Sequence, residues 1–443
     1  MRSLLKAAWL PVAAHLGLLL TYHLSDRLWL TLGLAAVATL GVAVAVARYA
    51  SRSGGRLRLG EMLAVAIVLR AILLPVPPSL SEDVWRYAWD AKVAAAGFDP
   101  YRLTPDDARL ESLRDETWRR LRHRDVETVY PPLALLLFSI SVPFAHPVPV
   151  LKLLLALFDL GTCVLLWRLA SRLRAPPERV LWYAWSPLVT LEIAGMGHVE
   201  GLGVFFLVLA VLLLSGERRV PVKAGLAAAA AVLSKLVPVL CLPAFARLSG
   251  GAARFALAAG GLSLLVLLPL FLDGPPPGLV RFGVDWEFNG PLYEPLWRGL
   301  DALDSRAAVH GWLDGRKLAS GEHEFWNRFY PYNYPQMHAK LLLAVLLLAL
   351  WARATLSRTP LVASGRVFAS LVLTSATVYP WYLIWLLPWA ALRQRPAWLW
   401  LSATVLLSYV PQFSSLPLVP WIHAAIWVPF AFLLLFARAT VES

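Results

Sequence analysis

Apolar runs of about twenty residues, parted by short charged connections, recur along the chain. A helix of that length crosses roughly 30 Å of hydrocarbon. The pattern predicts spans near 7–24, 28–47, 59–77, 150–169, 180–195, 201–215, 254–272, 338–354, 364–379, 382–392, 396–411 and 421–437. Two stretches break the rhythm. Residues 131–145 are short for a crossing, and a full span there would put Arg172, Arg174 and Arg179 on the side of the acidic loops. A helix in or along the outer interface is expected instead. Residues 222–247 are too short for two crossings, yet Arg247 and Arg254 belong with the other basic connections. Two half-helices broken near Ser234-Lys235-Leu236-Val237-Pro238 satisfy both demands. Such breaks are tolerated where they line a cavity, and a lysine at that depth needs a partner.

A mean hydropathy of +0.61, with 58% hydrophobic and 16% charged residues, excludes a soluble protein. The net charge of +13 therefore does not point to nucleic acid. It sits in the connections: Arg48, Arg52, Arg56 and Arg58; Arg218, Arg219 and Lys223; Arg353, Arg358, Arg393, Arg395 and Arg438. These mark the cytoplasmic side and place both termini there. Arg2 and Lys6 before an apolar run resemble a signal peptide, but no small-residue cleavage site follows, so a retained first span is expected. Cys163 and Cys241 fall inside predicted spans, which leaves no disulfide framework or cysteine metal site. The expected architecture is an all-α polytopic membrane protein, one integral domain over residues 1–443, in a bacterial plasma membrane. Its large extracytoplasmic loops are 79–149, with interfacial helices, and 273–336. Residues 79–130 and 273–336 hold eleven and nine of the 28 acidic residues, so the polar chemistry is expected on the outer face.

The first loop opens on Ser81-Glu82-Asp83-Val84-Trp85-Arg86-Tyr87-Ala88-Trp89-Asp90, directly after Pro75-Val76-Pro77-Pro78. As a helix, it puts Asp83, Arg86, Tyr87 and Asp90 on one face. By itself that face could simply be solvated. Thr104-Pro105-Asp106-Asp107 predicts a helix start with Thr104 as cap, a better use of the two acids than a metal site. Leu110, Leu113, Thr117 and Leu121 then form a narrow stripe suited to the membrane surface. Phosphate-loop, His-Glu-x-x-His and Gly-x-Ser-x-Gly signatures are missing. Chemistry on the outer face is left with lipid-borne groups or a transported solute.

The opening stretch, followed by Ala95-Ala96-Gly97-Phe98-Asp99-Pro100-Tyr101, resembles the first-loop motif of bacterial GT-C glycosyltransferases. More narrowly it is similar to the polyprenyl-phosphate-mannose-dependent mannosyltransferases. Tyr130-Pro131-Pro132-Leu133, Gly197-His198-x-Glu200, Ser234-Lys235-x-x-Pro238, Trp286-x-Phe288-Asn289-Gly290 and Tyr379-Pro380-Trp381-Tyr382 follow in the family's order. Glu82, Ala91-Lys92 and Glu200 depart from the commoner Asp, Gly-Arg and Asp. The resemblance implies a helical bundle of about 11–14 spans, some broken, with membrane-parallel helices in the first loop. It also implies an essential acid at Asp83.

Transfer from a lipid phosphate to a hydroxyl needs one carboxylate as base, and the anionic leaving group needs no acid. Asp83 is the expected base. Arg86, Tyr87, Asp90, Tyr130, His198, Glu200, Lys235, Arg281 and Asn289 are expected at the substrates. Of these, Arg86, His198, Lys235 and Arg281 are candidates to hold the departing phosphate. No cofactor or metal is implied. The implied partners are a polyprenyl-phosphate sugar donor (mannose), a lipid-linked or cell-envelope acceptor, and membrane lipids.

Blander readings stand beside these. Lys235 could cap a broken helix or pair with a buried acid, and His198 and Glu200 could close a short interfacial turn. Tyr379-Pro380-Trp381-Tyr382 reads better as an interfacial turn than as a sugar platform. The tract 325–334 could stack on sugar rings or anchor at the interface. Arg70 and Asp159, both inside spans, are expected to pair structurally. A transporter or flippase of amphiphilic or lipid-linked substrates is the main rival, but it predicts midplane charges and repeat symmetry. A membrane scaffold would leave the acidic motif unexplained.

Overall fold

The computed structural model describes residues 2–51, 57–216, 219–414 and 419–437. Arg52, Arg56, Arg218 and Arg438 lie outside the described residues. The chain is an all-α multi-pass membrane protein. Among the described residues six helices are long and apolar enough to cross a membrane: Leu4–Thr21, Leu28–Ala50, Pro147–Arg172, Ala252–Phe271, Pro335–Thr355 and Val419–Phe436. Shorter apolar helices cover Glu200–Leu214, Pro221–Ser234, Val237–Leu248 and Pro360–Thr374.

The N-terminal helices α1 (Arg2–Thr21) and α2 (Leu28–Ala50) pack against each other as a hairpin. Helix α3 (Leu59–Leu73) follows and stops short of its proline-rich exit, Pro75 to Pro78, where missing amides cannot extend it. Buried Lys152 finishes this end from outside. Its ammonium donates to the carbonyls of Leu74 (2.8 Å) and Val76 (2.5 Å), which α3 leaves open. Ser79 then accepts the amides of Leu24 (2.9 Å) and Ser25 (3.3 Å), tying the exit to the hairpin turn. Helix α4 (Asp83–Ala95) begins four residues later, with Asp83 in its first turn, where the dipole favours a carboxylate.

Arg70 and Asp159 do pair. Both are buried, with Nε 2.7 Å from Oδ2. Arg70 also donates to the carbonyls of Ala184 (2.6 Å) and Ala66 (3.1 Å), and the Tyr183 hydroxyl donates to Asp159 (2.9 Å). Every charge in the pair is thus met by further hydrogen bonds, which a buried ion pair needs to offset its desolvation.

Several expected elements change form. The run 180–195 is not one helix but short pieces, Leu181–Ala184, Pro187–Val189 and a π-helical turn Thr190–Gly195, because Pro187 interrupts the ladder. The run 382–392 likewise divides into a 3₁₀ stretch Pro380–Trp385 and a helix Leu387–Leu392 carrying Pro388. Residues 396–411 are α-helical over Pro396–Thr404, tighten to 3₁₀ over Val405–Tyr409 and return to α-helix at Val410. In the first loop Asp107, not Thr104, caps. It accepts the Arg109 amide and opens a 3₁₀ turn Ala108–Leu113. The Leu110 stripe does not face the membrane either. Leu110 and Leu121 are buried with Trp89, Val93 and Leu103 in a small core beneath α4. The loop's own apolar residues are enough to bury it there. The helix in 131–145 covers Pro132–Ser139, eight residues, or about 12 Å, far short of a crossing.

The break at Lys235 is as expected. The Pro221–Ser234 helix ends, Lys235 is extended (φ −159°, ψ 132°), and Val237–Cys241 resumes as 3₁₀ before Leu242–Leu248. In the second loop Phe288 pairs with the chain around Thr377 through Phe288 N–H to Ala376 (2.9 Å) and Val378 N–H to Phe288 (2.7 Å). That pairing, the Arg281–Asp125 contact (2.8 Å) and the His123–Trp286 ring contact (5.0 Å) gather both large loops and the Tyr379 turn at one end of the bundle.

Candidate functional site

A cavity of about 370 Å³ lies at that end, among the start of α4, Tyr130, the Lys235 break, the Leu279–Trp286 stretch and the Tyr379–Tyr382 turn. Asp83, Arg86, Tyr130 and Lys235 line it. Its walls change character across the space. Arg122, His123 and Glu127 make one side polar, while Leu236, Val237 and Phe413 make another apolar.

Asp83 keeps 39% of its side chain accessible and lines this cavity. Enclosure by protein raises its pKa to about 6, and Glu200 pushes the same way. Lys235, the Tyr130 hydroxyl and Arg86 oppose the rise. Lys235 is in turn ion-paired with buried Glu200, and its ammonium lies 4.8 Å from the Tyr382 ring centre. Arg86 donates through Nε to buried Asp90 (2.7 Å). Its Nη2 is buried and has no hydrogen-bond partner among the described residues. A guanidinium nitrogen left so is costly unless an anion arrives.

Tyr87 and His198 lie behind the cavity wall. Tyr87 is buried, stacked on Phe138 at 4.3 Å and edge-on to Tyr130 at 4.7 Å, so it props the helix that carries Asp83. His198 is fully buried, with Nδ1 3.7 Å from Asp83 Oδ2 and Nε2 3.2 Å from Glu192 Oε2. Its ring lies flat on Trp381 at 3.9 Å, Trp381 on Tyr379 at 4.5 Å, and Tyr379 on Phe288 at 4.7 Å. The turn read from sequence as interfacial therefore stands in the wall of the cavity. Arg281 and Asn289 are not in the cavity lining. Arg281 reaches Asp125, whereas Asn289 accepts from Trp427 Nε1 (2.9 Å), holding the second loop against the last helix.

Sequence reasoning missed Glu192, Tyr409, Arg122 and the aromatic stack. Glu192 had a signal, an acid inside an apolar run, which is expensive without a partner. Arg122, paired with Glu82 at 2.8 Å, is one of many loop arginines and had none.

Gly197 sets the approach of the His198 turn to α4. It adopts φ +81°, and a Cβ there would lie 2.9 Å from Val84 Cγ2 and 3.1 Å from Lys152 Cγ. Gly197→Ala is expected to cost about 1–2 kcal/mol from the left-handed backbone alone. It should also lower turnover, since Val84 adjoins Asp83. Thermal unfolding and turnover of the detergent-purified variant check this, and wild-type values for both would show that neither the backbone conformation nor the contact requires glycine here.

Residues 3–251 match a family model described as alpha-(1->6)-mannopyranosyltransferase, N-terminal domain. No curated protein and no solved structure matches the chain.

Proposed function

Because the chain belongs to this alpha-(1->6)-mannopyranosyltransferase family, we propose that it transfers mannose from a polyprenyl-phosphate donor. The acceptor is a hydroxyl of a lipid-linked or cell-envelope molecule, and the reaction runs in this cavity on the extracytoplasmic face. The observation that carries the reading is the carboxylate of Asp83, partly accessible and set in a cavity beside Arg86 and Lys235, whose walls pass from polar to apolar. Of the other carboxylates in the lining, Glu82 is already paired with Arg122. Asp83 takes the acceptor's proton as its oxygen bonds to the anomeric carbon. The bond from that carbon to phosphate oxygen breaks, with its electron pair leaving on the phosphate. Lys235 has three donors and gives one to Glu200, and Arg86 has a free buried nitrogen. Both can stabilise the departing anion. A single displacement inverts the centre, so an alpha product requires a beta-linked mannosyl phosphate.

The test is purified protein in lipid vesicles, given a panel of polyprenyl-phosphate sugars of either anomer and a mannoside acceptor. Alpha-linked product from the beta-mannosyl donor is expected. Transfer from the alpha anomer only, or no transfer from any lipid phosphate, would overturn the reading. Lys235→Met is expected to weaken donor binding about 10–100-fold, the worth of a charged hydrogen bond. Because it also strands Glu200, the double variant Glu200→Gln/Lys235→Met should regain stability without regaining affinity. Recovered affinity in that double variant would assign Lys235 a structural part alone.

A further inference from the structure

Three buried side chains behind the cavity take no part in the transfer step itself: His198, Glu192 and Tyr409. They form a line leading away from Asp83. His198 Nδ1 faces Asp83 Oδ2 at 3.7 Å, and on the ring's far side Nε2 faces Glu192 Oε2 at 3.2 Å. The Tyr409 hydroxyl donates to Glu192, 3.0 Å from Oε1 and 2.9 Å from Oε2. Glu192 and His198 are both fully buried, and His198 does not line the cavity. Neither ring nitrogen has a well-aligned hydrogen bond among the described residues. Buried polar atoms are seldom left so. Contacts of this kind in resting catalytic sites commonly tighten only when substrate is bound.

The proton positions in this line follow from the work of Asp83. As a base it must be ionised, and an ionised oxygen facing the lone pair of Nδ1 would be repelled. Nδ1 must therefore carry a proton. Burial and the Lys235 charge both push His198 toward the neutral imidazole, which has a single N–H. Nε2 then needs a donor, and Glu192 is the group placed to be one. Its contacts are the Tyr409 hydroxyl and the imidazole, with no Lys or Arg ion-paired to it among the described residues. A fully buried carboxyl in such surroundings favours its neutral, proton-bearing form. An ionised Glu192 would do the reverse, drawing the proton to Nε2 and turning the lone pair of Nδ1 on Asp83.

We propose that Glu192, steadied by Tyr409, is a neutral acid that fixes His198 as the Nδ1-protonated tautomer, through which His198 aims Asp83 and keeps it ionised. The two are positioning residues, because neither touches the reacting atoms. The stack on Trp381 completes the arrangement by covering one face of the imidazole and limiting its rotation. The Thr190–Gly195 π-helical turn places Glu192 there, a distortion that recurs at functional sites. This inference rests on Asp83 being the base.

The test is the pH profile of kcat in reconstituted protein. Besides His198, the groups facing Asp83 are Lys235, Arg86, Glu200, Tyr130, Tyr87, Tyr379 and Tyr382. All are unchanged in the variants, so shifts against wild type report the Glu192–His198 line. Glu192→Gln retains a neutral donor. It is expected to keep kcat within about threefold and the acidic limb where wild type has it. Glu192→Met removes the donor and should lower kcat about tenfold or more. Its acidic limb should move about one unit upward, because Asp83 loses a hydrogen bond to its charged form, with the donor KM unchanged. His198→Phe, which keeps the stack on Trp381, should show the same upward move and decides the matter if Glu192→Met does not fold. A folded Glu192→Gln that is as impaired as Glu192→Met, or limbs in Glu192→Met and His198→Phe that coincide with wild type, would overturn the inference. An active Asp83→Asn would remove the underlying reading instead, so the two failures are distinguishable.

Discussion

Asp83→Asn is expected to lower kcat by about 10²–10⁴-fold, the usual worth of a general base, while donor binding stays within a small factor of wild type. Asn keeps the shape and the start of α4 but cannot accept a proton. The electrostatics add a second expectation. Folding raises the Asp83 pKa from 3.8 to about 6, so the protein binds this proton more tightly when folded. The ionised form is thus disfavoured by the fold. Stability referable to Asp83 is greatest below the unfolded value and declines as pH rises through about 6. At neutral pH the neutral amide should therefore leave the unfolding temperature unchanged or raise it. The wild-type rate should show an acidic limb, falling about tenfold per unit below pH 6, because only the ionised carboxylate accepts the proton. Turnover of Asp83→Asn near wild type in reconstituted vesicles would sink the assignment of Asp83 as base.

Arg70→Met should produce the largest loss of stability in the chain, about 3–5 kcal/mol, because it leaves Asp159 charged and unpaired in the bundle. The pair joins three elements: Arg70 from α3, Asp159 from the Pro147–Arg172 helix, and the Tyr183–Ala184 segment that hydrogen-bonds to both. The double variant Arg70→Met/Asp159→Asn removes both charges and still offers Tyr183 an acceptor. It should recover most of the loss. Thermal unfolding of the three proteins in one detergent measures this. Equal unfolding temperatures for the single and double variants would mean that the stranded charge is not what destabilises.

The pairing of Arg70 with Asp159 was legible in the sequence because hydrocarbon makes the inference nearly one-sided: two opposite charges in apolar runs must find each other. The Lys235 break was legible for a related reason, since residues 222–247 are too few for two full crossings although Arg247 and Arg254 belong with the other basic connections. The Leu110 stripe misled because an amphipathic face shows only that something apolar covers it. Membrane and protein satisfy that demand equally well, and here Trp89 and Val93 of α4 are the cover. Thr104 misled because two acids in a row, Asp106 and Asp107, can each serve a helix start.

Hydropathy and charge along the chain determined the polytopic all-α class, the two acidic loops and the stretch around Asp83. Each follows from local composition set against a fixed bilayer thickness. What only the tertiary structure decided is which distant residues meet. It puts His198 between Asp83 and Glu192, seats Lys235 on Glu200, and stacks Trp381 against the imidazole. It also leaves Arg281 and Asn289 outside the cavity lining, the first on Asp125 and the second on Trp427 of the last helix. Such meetings depend on how broken helices pack and on a close approach at Gly197, where the only constraint is the absence of a Cβ. Those are long-range contacts, and no periodicity along the chain encodes them.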